Sequence, residues 1–200
     1  ERMNFNFEVI DDPHTLHSRI RELDGPEDKE AALIASYCWP FISKKKEDSH
    51  LMDIRLANGF EIQWNKEGGG GPRRWMGSRD RIERVGYPPE IQGQELNFAG
   101  VILGPDLTIG EDGGLAIDPW EHAMGDQSAK CINPGRGTWK KGYNSADEEG
   151  RAAIEERWRS RIRNQYWVLL SRGSEGCFVY SDDAEVRQFF RDALSQTNRD

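Results

Sequence analysis

The pattern of hydrophobic and polar positions at the start of the chain predicts a strand, a helix and a second strand. Apolar and polar side chains alternate over residues 5–10, which is typical of a strand. Asp12 can then cap a helix whose first turn begins with Pro13. The apolar residues of this helix recur at helical spacing on one face: Leu16, Ile20 and Leu23. Residues 31–39 form the next apolar run and predict a second strand.

The middle of the chain predicts short strands separated by loops. Residues 52–56 and 60–64 are two β-rich runs joined by an Ala-Asn-Gly turn, which indicates a hairpin. Residues 68–72 are four glycines followed by proline, and they predict a mobile loop that cannot pack. The other strands predicted in this part of the chain are residues 82–87 and residues 98–103.

The last part of the chain predicts a hairpin, two helices and two further strands. The hairpin pairs residues 107–109 with residues 115–117. The first helix covers residues 147–163, with a buried stripe at Ile154, Trp158 and Ile162. The two strands are predicted at residues 166–170 and 177–180. The final helix is capped by Ser181-Asp182, and its inward side chains are Val186, Phe189, Phe190 and Leu194.

Strands that alternate with helices predict an α/β domain with a mostly parallel sheet. We expect residues 1–200 to form a single domain, with irregular insertions at about 42–80 and 107–146. Ligands of such sheets bind outside the carboxyl ends of the strands. With strands placed as above, this rule predicts a ligand site at the loops of residues 90–95 and 171–175.

Composition and charge narrow the function classes. The 200 residues carry a net charge of −8, which argues against tight nucleic-acid binding by this chain alone, because phosphate neutralisation drives such binding. No run approaches the roughly 20 apolar residues of a membrane span. Three widely spaced cysteines predict a reducing, cytoplasmic environment, with Cys38 and Cys177 as core thiols. Because the first residue is Glu1, we expect a piece of a longer polypeptide.

Arg172 is the first candidate for chemistry. It follows the predicted strand of residues 166–170, and Gly173 behind it frees the backbone to turn. A guanidinium at such a strand end is well placed to bind phosphate oxygens. The alternative is a structural ion pair with a nearby carboxylate, such as Glu175 or Asp182.

The second candidate is the loop Gln92-Gly93-Gln94-Glu95, which comes just before a buried strand. Glycine lets a loop approach a ligand closely, and the Glu95 carboxylate can accept hydrogen bonds from sugar hydroxyls. The alternative is an ordinary turn and helix cap.

Two segments together resemble a known family. Residues 86–106 (GYPPEIQGQELNFAGVILGPD) resemble motif V of superfamily 1 helicases, and residues 163–180 (RNQYWVLLSRGSEGCFVY) resemble motif VI. The resemblance is to the helicase-like ATPases related to the C-terminal part of Schlafen proteins. Residues 35–40 and 64–65 also match landmarks of that family. The resemblance implies a RecA-like fold of the P-loop NTPase type, forming the second of two motor lobes.

The resemblance also implies roles for individual residues. Arg172 matches the arginine finger that reaches the γ-phosphate, and Gly173 lies beside it. Glu95 matches a glutamate that contacts the ribose, while Gln92 and Gly93 match the loop that couples nucleotide to nucleic acid. The implied cofactors are ATP and Mg²⁺, held mainly by an N-terminal RecA-like lobe in cis or in trans. The implied further partner is DNA or RNA.

Three departures from the family pattern keep rival functions open. Pro89 and Glu90 stand where the family usually has His-Thr, which removes a donor and adds a charge that repels phosphate. No G-x-x-x-x-G-K-[ST] occurs, and no Asp-Glu pair for magnesium follows an apolar strand. We therefore expect no ATP hydrolysis by the chain alone. The rivals are an inactive RecA-like binding or regulatory module and, from another class, a metal-dependent nuclease.

Weaker groupings have ordinary structural interpretations. His14 and His17 have a spacing compatible with a metal site, but no third ligand is evident, so a solvated helix face is expected. Three aspartates of the second insertion lack any regular cation-loop pattern: Asp112, Asp118 and Asp126. Trp75 and Trp139 lie beside basic residues and could stack on bases, although burial under loops is the simpler interpretation.

Overall fold

The computed structural model describes residues 5–25, 29–44, 46–64, 79–91, 93–122 and 143–197. The strands of these residues are β1 (Asn6–Val9), β2 (Ala31–Ala35), β3 (Ile54–Arg55), β4 (Glu61–Trp64), β5 (Arg84–Val85), β6 (Leu96–Leu103), β7 (Leu107–Ile109), β8 (Leu115–Ile117) and β9 (Gly173–Ser181). The α-helices are α1 (Pro13–Leu23), α2 (Pro88–Ile91), α3 (Glu148–Leu170) and α4 (Ala184–Thr197).

The main sheet has four strands in the order β1-β9-β6-β2. Each neighbouring pair in it is parallel. The β6–β9 ladder is the longest, running from Leu96 opposite Gly173 to Leu103 opposite Ser181. With helices against it, this sheet confirms the predicted α/β class and is consistent with a RecA-like fold.

Both faces of the main sheet are covered, which explains why its strands are continuous apolar runs. Along β2, Leu33 belongs to the apolar cluster on the α1 side, and Ile34 belongs to the cluster on the other side. Ile20 of α1 is fully buried over Gly100, where an added Cβ would lie 2.5 Å from the Ile20 side chain. The opposite face is covered by α3 and α4, which contribute these buried side chains: Trp158, Ile162, Tyr166, Leu169 and Val186.

A second, three-stranded sheet in the order β3-β4-β5 extends the core on the α1 side. The predicted hairpin at its start is confirmed, with Ile54 opposite Ile62 in an antiparallel pair. Both strands contribute buried side chains to the same apolar cluster as α1. Asp53 joins this sheet to the preceding segment, because its carboxylate accepts hydrogen bonds from the backbone N–H groups of Ser43 (2.7 Å) and Trp64 (2.9 Å). Strands β3 and β4 of the first insertion therefore pack into the core. The glycine run at 68–72 lies outside the described residues.

Several local predictions are confirmed at the level of hydrogen bonds. The Asp12 carboxylate accepts a bond from the backbone N–H of Thr15 at 2.9 Å, so Asp12 caps α1 as expected. β7 and β8 pair antiparallel over the residues predicted for the second hairpin. At α4 the cap is one residue later than predicted: the Asp183 carboxylate accepts from the Glu185 N–H at 2.8 Å.

The predicted strand at residues 166–170 is wrong, because these residues form the last turns of α3. Trp158 and Ile162 begin a buried stripe along this helix. Tyr166 and Leu169, four and seven positions after Ile162, continue the stripe at helical spacing. A short apolar run fits a strand or a helix equally well, and here the longer periodic pattern decides. Several other strands are shorter than predicted. β2 ends at Ala35, β3 covers only Ile54–Arg55, and residues 79–83 form a 3-10 turn before β5.

Candidate functional site

The two segments singled out in the sequence lie side by side at the amino ends of β6 and β9. Leu96 pairs directly with Gly173, so Glu95 and Arg172 precede neighbouring positions of two hydrogen-bonded strands. Paired strands are about 4.8 Å apart. The expectation that these loops lie at the carboxyl ends is therefore wrong. It followed from the mistaken strand at 166–170, which placed Arg172 after a strand when it follows a helix.

Arg172 is held by its backbone and by one side-chain bond. Its backbone N–H donates to the Leu169 carbonyl at 3.2 Å, and its Nε donates to the Val168 carbonyl at 3.1 Å. Both bonds tie it to the end of α3. Among the residues that the structure describes, no hydrogen bond or ion pair engages the two terminal Nη atoms. The half-buried guanidinium thus keeps the donors that could bind an anion.

The structural alternative for Arg172, an ion pair with Glu175 or Asp182, is not what the structure contains. Glu175 binds Lys29 Nζ at 2.8 Å and Asn97 Nδ2 at 2.6 Å. These two hydrogen bonds, with Lys29 the larger cause, lower the pKa of the Glu175 carboxyl. Asp182 accepts from the Tyr180 hydroxyl at 2.5 Å and from the Ala57 N–H at 3.0 Å.

Gly173 is required by close packing of the backbone. It is buried, and an added Cβ would lie 2.0 Å from the carbonyl oxygen of Gly176 and 3.1 Å from the Ala99 nitrogen. Real Cβ atoms do not approach backbone atoms this closely, so the start of β9 would have to move. Gly173 therefore fixes the path of the chain directly behind Arg172.

The loop before β6 is a tight turn with an exposed acid at its end. Gly93 has a φ of +75°, in the left-handed region that favours glycine. The Gln94 N–H closes the turn on the Ile91 carbonyl at 3.1 Å. Glu95 is exposed, and no partner binds its carboxylate among the described residues. Gln92 lies outside the described residues, so its predicted place in this site stays a prediction.

The carboxyl edge of the sheet offers a poorer place for a phosphate. A cavity of about 300 Å³ there is bordered by Leu103, Ser181, Asp182 and Asp183. The charged side chains that border this cavity are carboxylates, which would repel an anion bound in it.

The histidine and aspartate groupings have structural partners. His14 and His17 each bind a backbone carbonyl through Nε2, of Asn58 at 3.1 Å and of Ile82 at 2.8 Å. Both rings also contact the Phe60 ring at a steep angle. His14 stays exposed, as expected for a solvated helix face, whereas His17 is half-buried. Asp112 and Asp118 accept bonds from Gly114 and Trp120 N–H groups within their own turns. Asp126, Trp75 and Trp139 lie outside the described residues.

The structure reveals a buried polar cluster that sequence reasoning missed. Asp106 follows β6, is fully buried, and accepts hydrogen bonds from Ser36 Oγ (3.2 Å), His122 Nδ1 (2.7 Å) and the Tyr166 hydroxyl. The Tyr166 hydroxyl also accepts from the Gly104 N–H at 2.9 Å. The Cys38 thiol lies 3.5 Å from Ser36 Oγ and 3.8 Å from the Tyr166 hydroxyl. We call Ser36, Cys38, Asp106, His122 and Tyr166 the buried polar cluster.

These residues come from separate segments of the chain, and no single motif joins them. Four of them lie in the segments that resemble the family, at 35–40, 86–106 and 163–180, but nothing in the sequence indicated that these segments meet at one place. Burial, and next the nearby Asp106 carboxylate, raise the pKa of Cys38 well above its usual range. Burial alone raises the pKa of Cys177 to about 12, as expected for a core thiol. Neither cysteine is therefore a reactive thiolate in this structure.

Tyr166→Phe is expected to lower the free energy of unfolding by about 1–3 kcal/mol, because it leaves the Gly104 N–H and one Asp106 oxygen without their buried partner. Chemical denaturation measures this change. Tyr143→Phe is the matched control: its hydroxyl binds Glu155 near solvent, where water can replace the bond. Equal losses in the two variants would contradict the importance of the buried polar cluster.

Comparison with known proteins gives three findings. The family model described as Schlafen group 3, DNA/RNA helicase domain, matches residues 1–183. An uncharacterized protein of Saccharomyces cerevisiae is 28% identical over 185 residues, which is 92% of this chain and 36% of that protein. The chain thus spans about a third of that relative's length. No solved structure matches the chain.

A search of the described helices finds none whose length and apolar character would let it cross a bilayer.

Proposed function

Because this chain belongs to the Schlafen group 3 DNA/RNA helicase domain family, we propose that it is the second motor lobe of a nucleic-acid-dependent ATPase. In this proposal Arg172 serves as the arginine finger for ATP and Mg²⁺ held mainly by an N-terminal RecA-like lobe in cis or in trans. The family makes the chain helicase-like, and it confirms the resemblance that the two sequence segments indicated.

One observation carries the proposal: Arg172 and Glu95 leave neighbouring paired strands at the same sheet edge. The Arg172 terminal nitrogens and the Glu95 carboxylate have no partner among the described residues. A guanidinium can bind phosphate oxygens in two parallel hydrogen bonds, and a carboxylate can accept bonds from ribose hydroxyls. Side by side, the two groups match the two ends of one nucleoside triphosphate.

The anchoring of Arg172 supports a role in the transition state. Gly173 packs against Gly176, and the Arg172 Nε is bonded to the last turn of α3, so the side chain starts from a fixed point. A fixed donor needs no reorganisation when charge develops on the transferring phosphoryl group. This is the requirement for a residue that crosses a cleft toward a phosphate on another lobe.

A binding or regulatory module is the second candidate. Pro89 and Glu90 in α2, and the net charge of −8, weaken the expected grip on a nucleic-acid backbone. ATP hydrolysis by the full-length protein, measured with and without single-stranded DNA or RNA, separates the two. The motor proposal predicts hydrolysis that a strand stimulates. Nucleotide or strand binding without any hydrolysis would favour the module.

Glu95→Ala in the full-length protein is expected to raise the KM for ATP about tenfold with little change in kcat. The reason is that a hydrogen bond from a ribose hydroxyl to a charged acceptor stabilises binding by about 1.5 kcal/mol or more, in ground state and transition state alike. Steady-state kinetics measures both constants. Glu185→Ala removes an exposed carboxylate beyond the opposite sheet edge and should leave KM unchanged. An unchanged KM in Glu95→Ala would remove the ribose role.

A further inference from the structure

The buried polar cluster contains three side chains whose donor atoms suit a transition metal. Cys38 Sγ, an Asp106 carboxylate oxygen and a His122 ring nitrogen all lie within 4.8 Å of one another. Zinc binds thiolate sulfur at about 2.3 Å and imidazole nitrogen or carboxylate oxygen at about 2.0–2.2 Å. Ligands of one tetrahedral ion are thus roughly 3.3–3.8 Å apart. The donor atoms would therefore have to draw together by at most about 1.5 Å to reach that geometry.

We propose that Cys38, Asp106 and His122 form a structural site for a divalent transition metal ion, with zinc as the best fit. A thiolate sulfur and an imidazole nitrogen together select zinc-like ions over magnesium and calcium, which prefer oxygen ligands alone. The site lies at the carboxyl ends of β2 and β6, away from Arg172 and Glu95 at the amino ends. It is therefore independent of the proposed motor role.

The charge of Asp106 supports a cation at this place. Its side chain is fully buried, and His122, also buried, is the one basic group in contact with it among the described residues. Burying a carboxylate without a positive charge beside it destabilises the folded state by several kcal/mol. A bound metal ion would neutralise the negative charges of the Asp106 carboxylate and of a Cys38 thiolate. No described Lys or Arg does so.

The remaining cluster members provide the outer contacts that metal ligands usually have. Ser36 Oγ donates to Asp106 Oδ2, and the Tyr166 hydroxyl donates to the other oxygen. Such bonds fix the direction of a carboxylate ligand and strengthen its site. The Tyr166 hydroxyl also lies 3.8 Å from Cys38 Sγ.

Binding is a simple ligand exchange. The Cys38 thiol loses its proton to solvent as the sulfur–metal bond forms. His122 passes, by proton exchange with solvent, to the neutral tautomer that carries its proton on Nε2, so that the Nδ1 lone pair binds the ion. The Asp106 carboxylate then replaces its 2.7 Å hydrogen bond from His122 with a bond to the same ion. No oxidant or reductant takes part.

Cobalt titration of the full-length protein, reduced and first treated with chelator, tests the site. We expect a sulfur-to-cobalt charge-transfer absorption and tetrahedral visible bands that saturate with the site and disappear on adding Zn²⁺. Cys38→Ser should abolish the charge-transfer band. Tyr166→Phe keeps all three ligands and should weaken cobalt binding by about 10–100-fold.

The other two cysteines provide matched controls. Cys177→Ser alters a buried thiol of the same sheet, and Cys131→Ser alters the third cysteine of the chain. Both should keep the charge-transfer band. If Cys38→Ser does not fold, His122→Gln retains the sulfur and should weaken cobalt binding by at least about 100-fold. A folded wild-type protein without the band overturns the proposal. So does a band that persists in Cys38→Ser, an unchanged cobalt affinity in His122→Gln, or the loss of the band in Cys131→Ser.

Discussion

Arg172→Ala in the full-length protein is expected to reduce kcat for ATP hydrolysis by roughly 10³–10⁵-fold, the range over which an arginine finger accelerates phosphoryl transfer. Nucleotide binding should largely survive, because the phosphates are held by the other lobe. The stability of the chain should also change little, since the Arg172 side chain makes one described hydrogen bond, from Nε to the Val168 carbonyl. Steady-state kinetics and a nucleotide-binding assay on the same preparation measure both effects.

Two variants test whether the loss belongs to this guanidinium. Arg163→Ala removes an exposed arginine of the same helix that lies 3.9 Å from Glu156, and it should hydrolyse ATP at nearly the wild-type rate. Arg172→Lys keeps the charge but not the planar pair of donors, so it should restore little of the activity. Equal activity of Arg172→Ala and Arg163→Ala would remove Arg172 from the mechanism.

Gly173→Ala should lower the free energy of unfolding by about 3 kcal/mol, at the upper end of the usual cost of overpacking. The new methyl group would lie 2.0 Å from the Gly176 carbonyl oxygen, which is backbone and cannot rotate away. The ladder at the amino end of β9 must then shift, and Arg172 moves with it. Turnover should therefore fall together with stability. Denaturant unfolding measures the first effect and steady-state kinetics the second.

Gly113→Ala is the matched control for this steric argument. Gly113 has a φ of +77° in the turn between β7 and β8, with open space around an added Cβ. The backbone preference alone should cost about 1 kcal/mol there, without an effect on turnover. If Gly113→Ala and Gly173→Ala lowered the free energy of unfolding by similar amounts, the clash with Gly176 would be one that the backbone relieves easily.

Local patterns in the sequence were enough to predict several elements, whether their hydrogen bonds are local or, as in β6, reach strands far away in the sequence. The α1 cap at Asp12, the hairpin of residues 107–117 and the apolar strand ending at Leu103 are all confirmed. The parallel order of the main sheet also agrees with the alternation of strands and helices. In each case the segment itself contains the pattern that predicts its structure: a hydrophobic periodicity, a turn sequence or a capping residue.

The strand assigned to residues 166–170 shows where local patterns are insufficient. Tyr166 and Leu169 face the sheet from a helix, so their hydrophobicity reports burial and not strand geometry, whereas Trp167 between them is 76% exposed. The error had a consequence for the site. It moved Arg172 to the carboxyl edge of the sheet, the edge at which the loop of residues 90–95 was also predicted.

The buried polar cluster could not be predicted because its order is set by tertiary contacts alone. Asp106 and Tyr166 are 60 positions apart and meet only after α3 packs across β6. Read singly, Cys38 is a small apolar residue and Asp106 a turn former after proline. Their chemistry depends on burial and on each other, which no spacing rule encodes.

Binding of ADP with aluminium fluoride, a mimic of the transferring phosphoryl group, tests the central claim most directly. The full-length wild-type protein should bind ADP with aluminium fluoride and Mg²⁺ much more tightly than ADP with Mg²⁺ alone. Arg172→Ala should bind ADP as the wild type does and lose most of the additional affinity. An Arg172→Ala protein that retains the full difference would contradict the claim that this sheet edge supplies the arginine to a phosphate held by another lobe.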